Sequence, residues 1–420
     1  MTAGIILFLV IAGLLVLRVN IVGVLLVAIS YIHYTWGDGV LVYVIEDMWT
    51  AINKEVLLAI PLFMLCGSVM SKGDIAKRLI MIMQELTRPL PGGMAIATIL
   101  TCSIFAAISG SSAVTLIAVG SIAYPGLVKQ NYSKRFSMGA VVAGGTLGVI
   151  IPPSIPMILY GIVTETSIVD LFKGGVIPGI VLVGILSFYS FYVNRHIPHQ
   201  SPDFSAISSA LKEGIWSLLM PVILLGGIYS GHFSPTESAA VALAYSLVIE
   251  MFVHRGVTIR NLIDTAIETT IMLGTLFPLL AIAFSINMLL TSQGVPAALA
   301  AWVGSFVSSK ITFLLLINVL LLGVGCIMDM TSAIMVLAPL LLQLSHVYNI
   351  DPVHLGIIMT VNLEIGLLTP PVGINLIVAM TAFKEDFGLI IKGVLPFIFL
   401  MLTGLLLISF IPELTLYLVR

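Results

Sequence analysis

Two proline pairs, each preceded by a glycine four residues earlier, stand 218 positions apart in an almost wholly apolar chain. They are Gly148 with Pro152-Pro153 and Gly366 with Pro370-Pro371. Adjacent prolines remove two backbone donors and clash with the preceding turn, so no regular helix runs through either pair. Both pairs fall inside apolar stretches long enough to cross a bilayer, 138–162 and 353–381. Non-helical backbone at membrane depth survives only where it is buried in protein or lines a cavity. Paired interruptions at corresponding positions of two half-chains point to the binding site of a transporter.

Of the 420 residues only 9% are charged, while 59% are hydrophobic; soluble domains carry roughly 25% charged residues. So few charges cannot cover a water-facing surface, and the chain reads as an all-α polytopic membrane protein set in a lipid bilayer. Its basic residues form no patch, which gives no reason to expect a nucleic-acid partner. Cys66, Cys102 and Cys326 are far apart in apolar runs and suit neither a disulfide framework nor a metal centre. No H-E-x-x-H pair and no Walker A motif occurs, so neither zinc hydrolysis nor ATP-driven transport is expected of this chain. The run 3–17 lacks a basic n-region and an A-x-A-like cleavage site and reads as a retained first span.

Apolar runs mark ten spans, at 3–17, 20–36, 56–71, 138–162, 175–193, 214–230, 236–253, 270–291, 353–381 and 393–411. Two further stretches, 92–127 and 311–346, are interrupted near their centres by polar residues. Each is either two spans or one re-entrant hairpin. Either way the intervening loops alternate sides, and 14 of the 18 basic residues collect on one side, taken as cytoplasmic. Both termini are then periplasmic. The polar tips and the internal repeat favour hairpins.

The repeat has an offset of 217 to 220. Pro61-Leu62 matches Pro278-Leu279, Ser111-Ser112-Ala113-Val114 matches Thr331-Ser332-Ala333-Ile334, and Gly175 with Pro178 matches Gly393 with Pro396. Five spans and one hairpin per half invert the second half relative to the first, giving an inverted-topology repeat. The expected organisation is a first repeat at 1–194, a cytoplasmic connector at 195–213 and a second repeat at 214–420. The first hairpin (92–127) enters from the cytoplasmic side and the second (311–346) from the periplasmic side. Amphipathic stretches at roughly 75–90 and 296–308 read as interfacial arm helices.

Candidate functional residues cluster at the tips and breaks. The first tip is Ser109-Gly110-Ser111-Ser112, facing Gly144-Gly145-Thr146 through Pro152-Pro153. Hydroxyls and freed carbonyls are hard oxygen donors of the kind alkali cations prefer. The second tip is Gly325-Cys326-Ile327-Met328-Asp329-Met330-Thr331-Ser332, facing Asn362 through Gly366 and Thr369. Asp329 is either a ligand-contacting carboxylate or the N-cap of the helix that follows. Glu364, the other mid-span acid, either pairs across the domain or tunes the cavity. No Lys, Arg or His takes an evident mid-membrane position. An anionic substrate would therefore be held by helix N-termini and hydroxyls. Ser111, Asn362, Asp329, Thr331 and Ser332 are the expected substrate contacts.

The succession G-S-S-A-V-T (110–115), G-x-x-x-P-P-S-x-P (148–156), M-D-x-T-S-A (328–333) and G-x-x-T-P-P-V-G-x-N (366–375) resembles the large membrane subunit of tripartite ATP-independent periplasmic (TRAP) transporters. The resemblance covers about residues 1–415. It implies an elevator-type ion-transporter fold and a sodium-driven importer of organic (carboxylate or sugar) acids in the bacterial inner membrane. It further implies two or more co-transported sodium ions, a small four-span membrane subunit and a periplasmic substrate-binding protein. Carried onto this chain, the family's sodium motifs fall on Ser109, Ser111, Ser112, Gly145 and Pro152 for one site. They fall on Gly325, Thr331, Gly366 and Thr369 for the other. The chain opens at the large subunit's first span, so the small subunit is expected to be separate. A self-sufficient sodium/carboxylate symporter without a binding protein is the alternative. A channel or an intramembrane enzyme fits less well, since paired broken helices are unusual in channels and no nucleophile–base pair stands at usable spacing.

Overall fold

The computed structural model describes residues 2–37, 39–198 and 200–420, and every regular element among them is helical. The first half contains α1 (Thr2–Val16), α2 (Ile21–Trp36), α3 (Val42–Ile52), α4 (Ala59–Lys72), α5 (Ile75–Thr87), α6 (Gly93–Ser109), α7 (Ser112–Lys129), α8 (Lys134–Ile150), α9 (Ile155–Thr164) and α10 (Ile168–Val193). The second contains α11 (Phe204–Tyr229), α12 (Pro235–Val248), α13 (Ile259–Ser292), α14 (Val295–Phe306), α15 (Lys310–Gly325), α16 (Met330–Val347), α17 (Pro352–Gly366), α18 (Ile374–Phe383), α19 (Phe387–Phe410) and the short α20 (Glu413–Leu416). Nine helical stretches among the described residues are long and apolar enough to cross a membrane. Trp36, Trp49, Trp216 and Trp302 are all exposed, as interfacial anchors would be.

Apart from the terminal α20, the succession of helices is the same in both halves, with one difference. Helix α13 runs 34 residues without a break. Its counterpart is divided into α3, a short 3-10 turn (Glu55–Leu58) and α4. Hydropathy alone shows only the α4 part, because Glu46 and Asp47 dilute the apolar signal of α3. The connector is also shorter than the expected 195–213. The Asp203 carboxylate accepts from the N–H groups of Ser205 and Ala206, at 3.0 and 3.1 Å, and starts α11 at Phe204. The polar first turns of α11 hide this start from a hydropathy reading.

The two broken crossings form the centre. Residues 353–366 of α17 are all buried, as are residues 136–150 of α8. Both proline pairs are cis, and α8 with α9 makes one crossing, Lys134–Thr164, interrupted at the first pair. Helices α6 and α7 pack on α8; α15 and α16 pack on α17. The halves also interlock: α7 packs against α18, and α16 against α9. Around this centre α3 and α4 pack on α13, α4 on α12, and α5 on α6 and α11.

One carboxylate fastens α5 to α12. A π-turn (Ile249–Val253) extends α12 and carries Glu250, which is fully buried. Its two oxygens accept from the N–H groups of Asp74 (3.0 Å) and Ile75 (2.9 Å), the otherwise unpaired donors at the start of α5. Neighbouring His254 lies 3.7 Å from the carboxylate. Burial, and then the positive Arg78, hold the imidazole below its ordinary pKa. It is therefore neutral near pH 7, and the helix N-terminus is the main positive partner of Glu250.

Candidate functional site

Each hairpin tip sits on the break of its own half, and glycine sets the separation. Gly110 turns the first tip in the left-handed region (φ 60°). A methyl group there would lie 3.1 Å from the Pro153 carbonyl oxygen. One on Gly148 would lie 2.7 Å from the Ser111 carbonyl oxygen. At the second tip a methyl on Gly366 would lie 2.6 Å from Gly325 Cα, and the Gly373 N–H donates to the Cys326 carbonyl at 3.4 Å. Gly325 and Gly366, which the family resemblance places in one site, thus stand backbone against backbone.

The hydroxyls of the first tip form a tight group. Ser109 Oγ and Thr115 Oγ1 are 2.8 Å apart. Ser112 is buried and faces the other half, where its Oγ lies 3.2 Å from Asn375 Nδ2. Asn375 Nδ2 also donates to Glu364 Oε1 at 2.9 Å. A chain of side-chain contacts therefore runs from tip one to break two. Gly145 lies one turn from the tip, against the backbone and Cβ of Leu116, and Pro152 is buried in the break beside Gly175. Thr369 donates its hydroxyl to the Ile365 carbonyl at 2.9 Å, which turns it back onto α17.

Asn362, expected as a substrate contact, bonds a side chain of α15 rather than a tip. It is fully buried and donates to Asn318 on α15, which in turn bonds Ser409 on α19. Asn362 and Glu364 are two residues apart, hence about 200° apart around the helix, and only Glu364 turns toward α7 and α18. Asp329, by contrast, is exposed at the tip, and its carboxylate caps α16 by accepting from the Ser332 N–H at 2.9 Å. Thr331 and Ser332 occupy the first turn of that helix and are half-buried. Replacing Asp329 by Ala should cost about 1 kcal/mol through the lost cap. D329N keeps an acceptor and is expected to retain both thermal stability and uptake. Loss of uptake in D329N at unchanged stability would instead assign the charge a direct role.

The four helices that begin at tips and breaks differ in their first turns. Ser154 caps α9 and Asp329 caps α16 with their own side chains. Ser111 and Gly373, which precede α7 and α18, supply no side-chain cap. Helices α7 and α18, which pack against one another across the halves, therefore start without side-chain acceptors, although the Asn375 N–H of α18 is taken by the Leu367 carbonyl at 3.2 Å; an uncapped first turn favours an anionic group.

The sequence profile of the tripartite ATP-independent periplasmic transporter, DctM component, matches residues 8–414. The chain belongs to this family. The C4-dicarboxylate TRAP transporter large permease protein DctM of Pseudomonas aeruginosa is 40% identical over 86% of this chain and 85% of its own length. The ectoine permease TeaC of Halomonas elongata is 32% identical over 91% and 90%. The isethionate permease DctMQ of Oleidesulfovibrio alaskensis is 40% identical over 89% of this chain, which spans only 60% of that protein. Among solved structures, the YdaH transporter of Alcanivorax borkumensis has a similar fold, with a TM-score of 0.63, 18% identity and coverage of 90% and 89%. The chain is a multi-span TRAP large permease subunit, not an enzyme. The tripartite name implies a small membrane subunit and a periplasmic binding protein beside it.

Asn375 and the Asn318–Ser409 pair were not singled out by the sequence reading. Asn375 closes the fourth motif, so its position was available. Its contact with Ser112 was not, because it crosses 263 positions between the halves.

Proposed function

We propose that the permease is the transport subunit of a sodium-coupled importer of organic acids in the bacterial inner membrane, moving its cargo by an elevator motion. The carrying observation is the pair of tip-on-break contacts, one per half, interlocked through α7 with α18 and α16 with α9. In this reading sodium ions bind at Ser109, Ser111, Ser112 and the first break, and at Gly325, Thr331, Gly366, Thr369 and the second. The substrate carboxylate lies against the first turns of α7 and α18, which carry no side-chain cap. The first break, Gly148–Pro153, supplies the first site's carbonyls. Helices α6–α10 and α15–α19 move as the transport domain, with hairpins α6–α7 and α15–α16 re-entrant. The rest is scaffold. The small four-span subunit braces that scaffold, and the binding protein delivers cargo from the periplasm, where both termini lie. Ion binding closes the tips and orders the substrate site, which is positive coupling between the two ligands.

The test is uptake of labelled organic acids into liposomes holding the permease and its small subunit, under an imposed sodium gradient, with and without binding protein outside. Uptake that needs both sodium and binding protein supports the reading. Uptake with sodium alone would favour the self-sufficient symporter. Uptake indifferent to sodium would sink both. Within this assay S112A and T369A should each raise the half-saturating sodium concentration, by about tenfold for an oxygen ligand worth roughly 1.4 kcal/mol. Unchanged sodium dependence in both variants would remove the site assignment.

A further inference from the structure

We infer that Glu364, Asn375 and Ser112 form an additional seat for a transported monovalent cation, placed between the two halves rather than within either; this rests on the sodium-coupled reading above. Glu364 is fully buried. Its Oε1 accepts from Asn375, while its Oε2 has no hydrogen-bond partner. The Ser112 hydroxyl is within hydrogen-bonding reach of the Asn375 amide, which bridges it to the carboxyl group. Among the described residues no Lys, Arg or His is paired with Glu364. An amide and a hydroxyl supply hydrogen bonds but no countercharge. A buried carboxylate lacking one costs several kcal/mol, and ionisable groups inside membrane proteins face functional cavities for that reason.

Position makes the need for a positive ion sharper. Ser112 is the first residue of α7 and Asn375 the second of α18, the two helices whose first turns lack side-chain caps. An anionic substrate drawn to those turns would meet the Glu364 charge at close range unless a cation stood between them. Three oxygens are at hand: Glu364 Oε2, Asn375 Oδ1 and Ser112 Oγ. All are hard donors suited to an alkali cation. One carboxylate balances one positive charge. A resident divalent metal would ask for more anionic ligands, and no cluster of three His, Cys, Asp or Glu occurs among the described residues. The seat joins the first tip to the second break, so its ion would link the two sodium sites.

The experiment counts sodium. Radioactive sodium binding to the purified permease–small-subunit complex gives the ions bound. The reversal potential of uptake in liposomes, with the binding protein present, gives the sodium-to-substrate ratio. E364Q is expected to bind one ion fewer and to transport with one sodium fewer per substrate. N375A keeps the carboxylate but loses an oxygen, and should show the full ion count at saturation with a sodium affinity about tenfold weaker. E364Q with the wild-type ion count would overturn the inference and leave a proton as the neutralising species. If E364Q does not assemble, N375A decides, and wild-type sodium affinity in it overturns the inference. Absence of sodium coupling in the wild-type complex would instead overturn the proposed function itself.

Discussion

G366A is expected to lower uptake by about five- to a hundredfold while leaving the protein in the membrane. The added methyl would stand 2.6 Å from Gly325 Cα, 2.7 Å from its carbonyl carbon and 3.1 Å from the Cys326 nitrogen. All three are backbone atoms, so no rotamer change relieves the clash, and hairpin α15–α16 must part from the break. Overpacking of this kind costs roughly 1–3 kcal/mol, and each 1.4 kcal/mol is about a factor of ten in the population of the closed tip. G323A, two residues before Gly325 on the same hairpin, is the control. Nothing lies within 4 Å of its added methyl, and Ala exceeds Gly in helix propensity by about 1 kcal/mol. G323A should transport normally with an equal or higher melting temperature. Equal uptake by the two variants would mean that the tip does not have to close on the break.

This contact shows what the sequence made legible. A double proline forces a break, and a glycine one turn before it permits close approach; these signatures found both breaks, the polar interruptions of two apolar stretches found both tips, and the family resemblance put Gly325 and Gly366 together. Hydropathy found most long helices but missed α3, where Glu46 and Asp47 interrupt a run of only 11 residues. The repeat held the missing information, since continuous α13 requires a counterpart reaching back to about residue 42. Helical periodicity held more than was drawn from it: Asn362 and Glu364 cannot face one cavity from positions two apart. What no local pattern supplies is the partner across the halves. Ser112, Asn375 and Glu364 meet only because α7 packs on α18, a tertiary result with no signal at either end of the chain. Similarly, Asp329 reads equally well as cap or ligand until its exposure and its bond to the Ser332 N–H are seen.

Loss of the Glu250 carboxylate should be the other large effect, and it should be confined to one arm. E250A removes two charge-assisted hydrogen bonds, each worth about 1.5–3 kcal/mol, and leaves the buried Ile75 donor and the part-buried Asp74 donor without partners. The melting temperature of the purified complex should fall by several degrees, and amide exchange should rise across α5, residues 75–87. Gly73 belongs to the same clasp, because a methyl there would lie 2.2 Å from the Glu250 carboxyl carbon. G73A alone should displace the carboxylate and approach E250A in stability. In the E250A background the clash is gone, so G73A should add little. That non-additivity, read in a double-mutant cycle, separates a specific clasp from two independent packing defects. Among the described residues the start of the other arm shows no such fastening: α14 follows Gly294 with no side-chain cap and nothing within 4 Å of an added methyl. Exchange across residues 295–306 should therefore be the same in wild type and E250A. A rise there equal to that in α5 would mean that Glu250 supports the fold as a whole, whereas a rise in α5 alone makes it the anchor that holds α5 to α12.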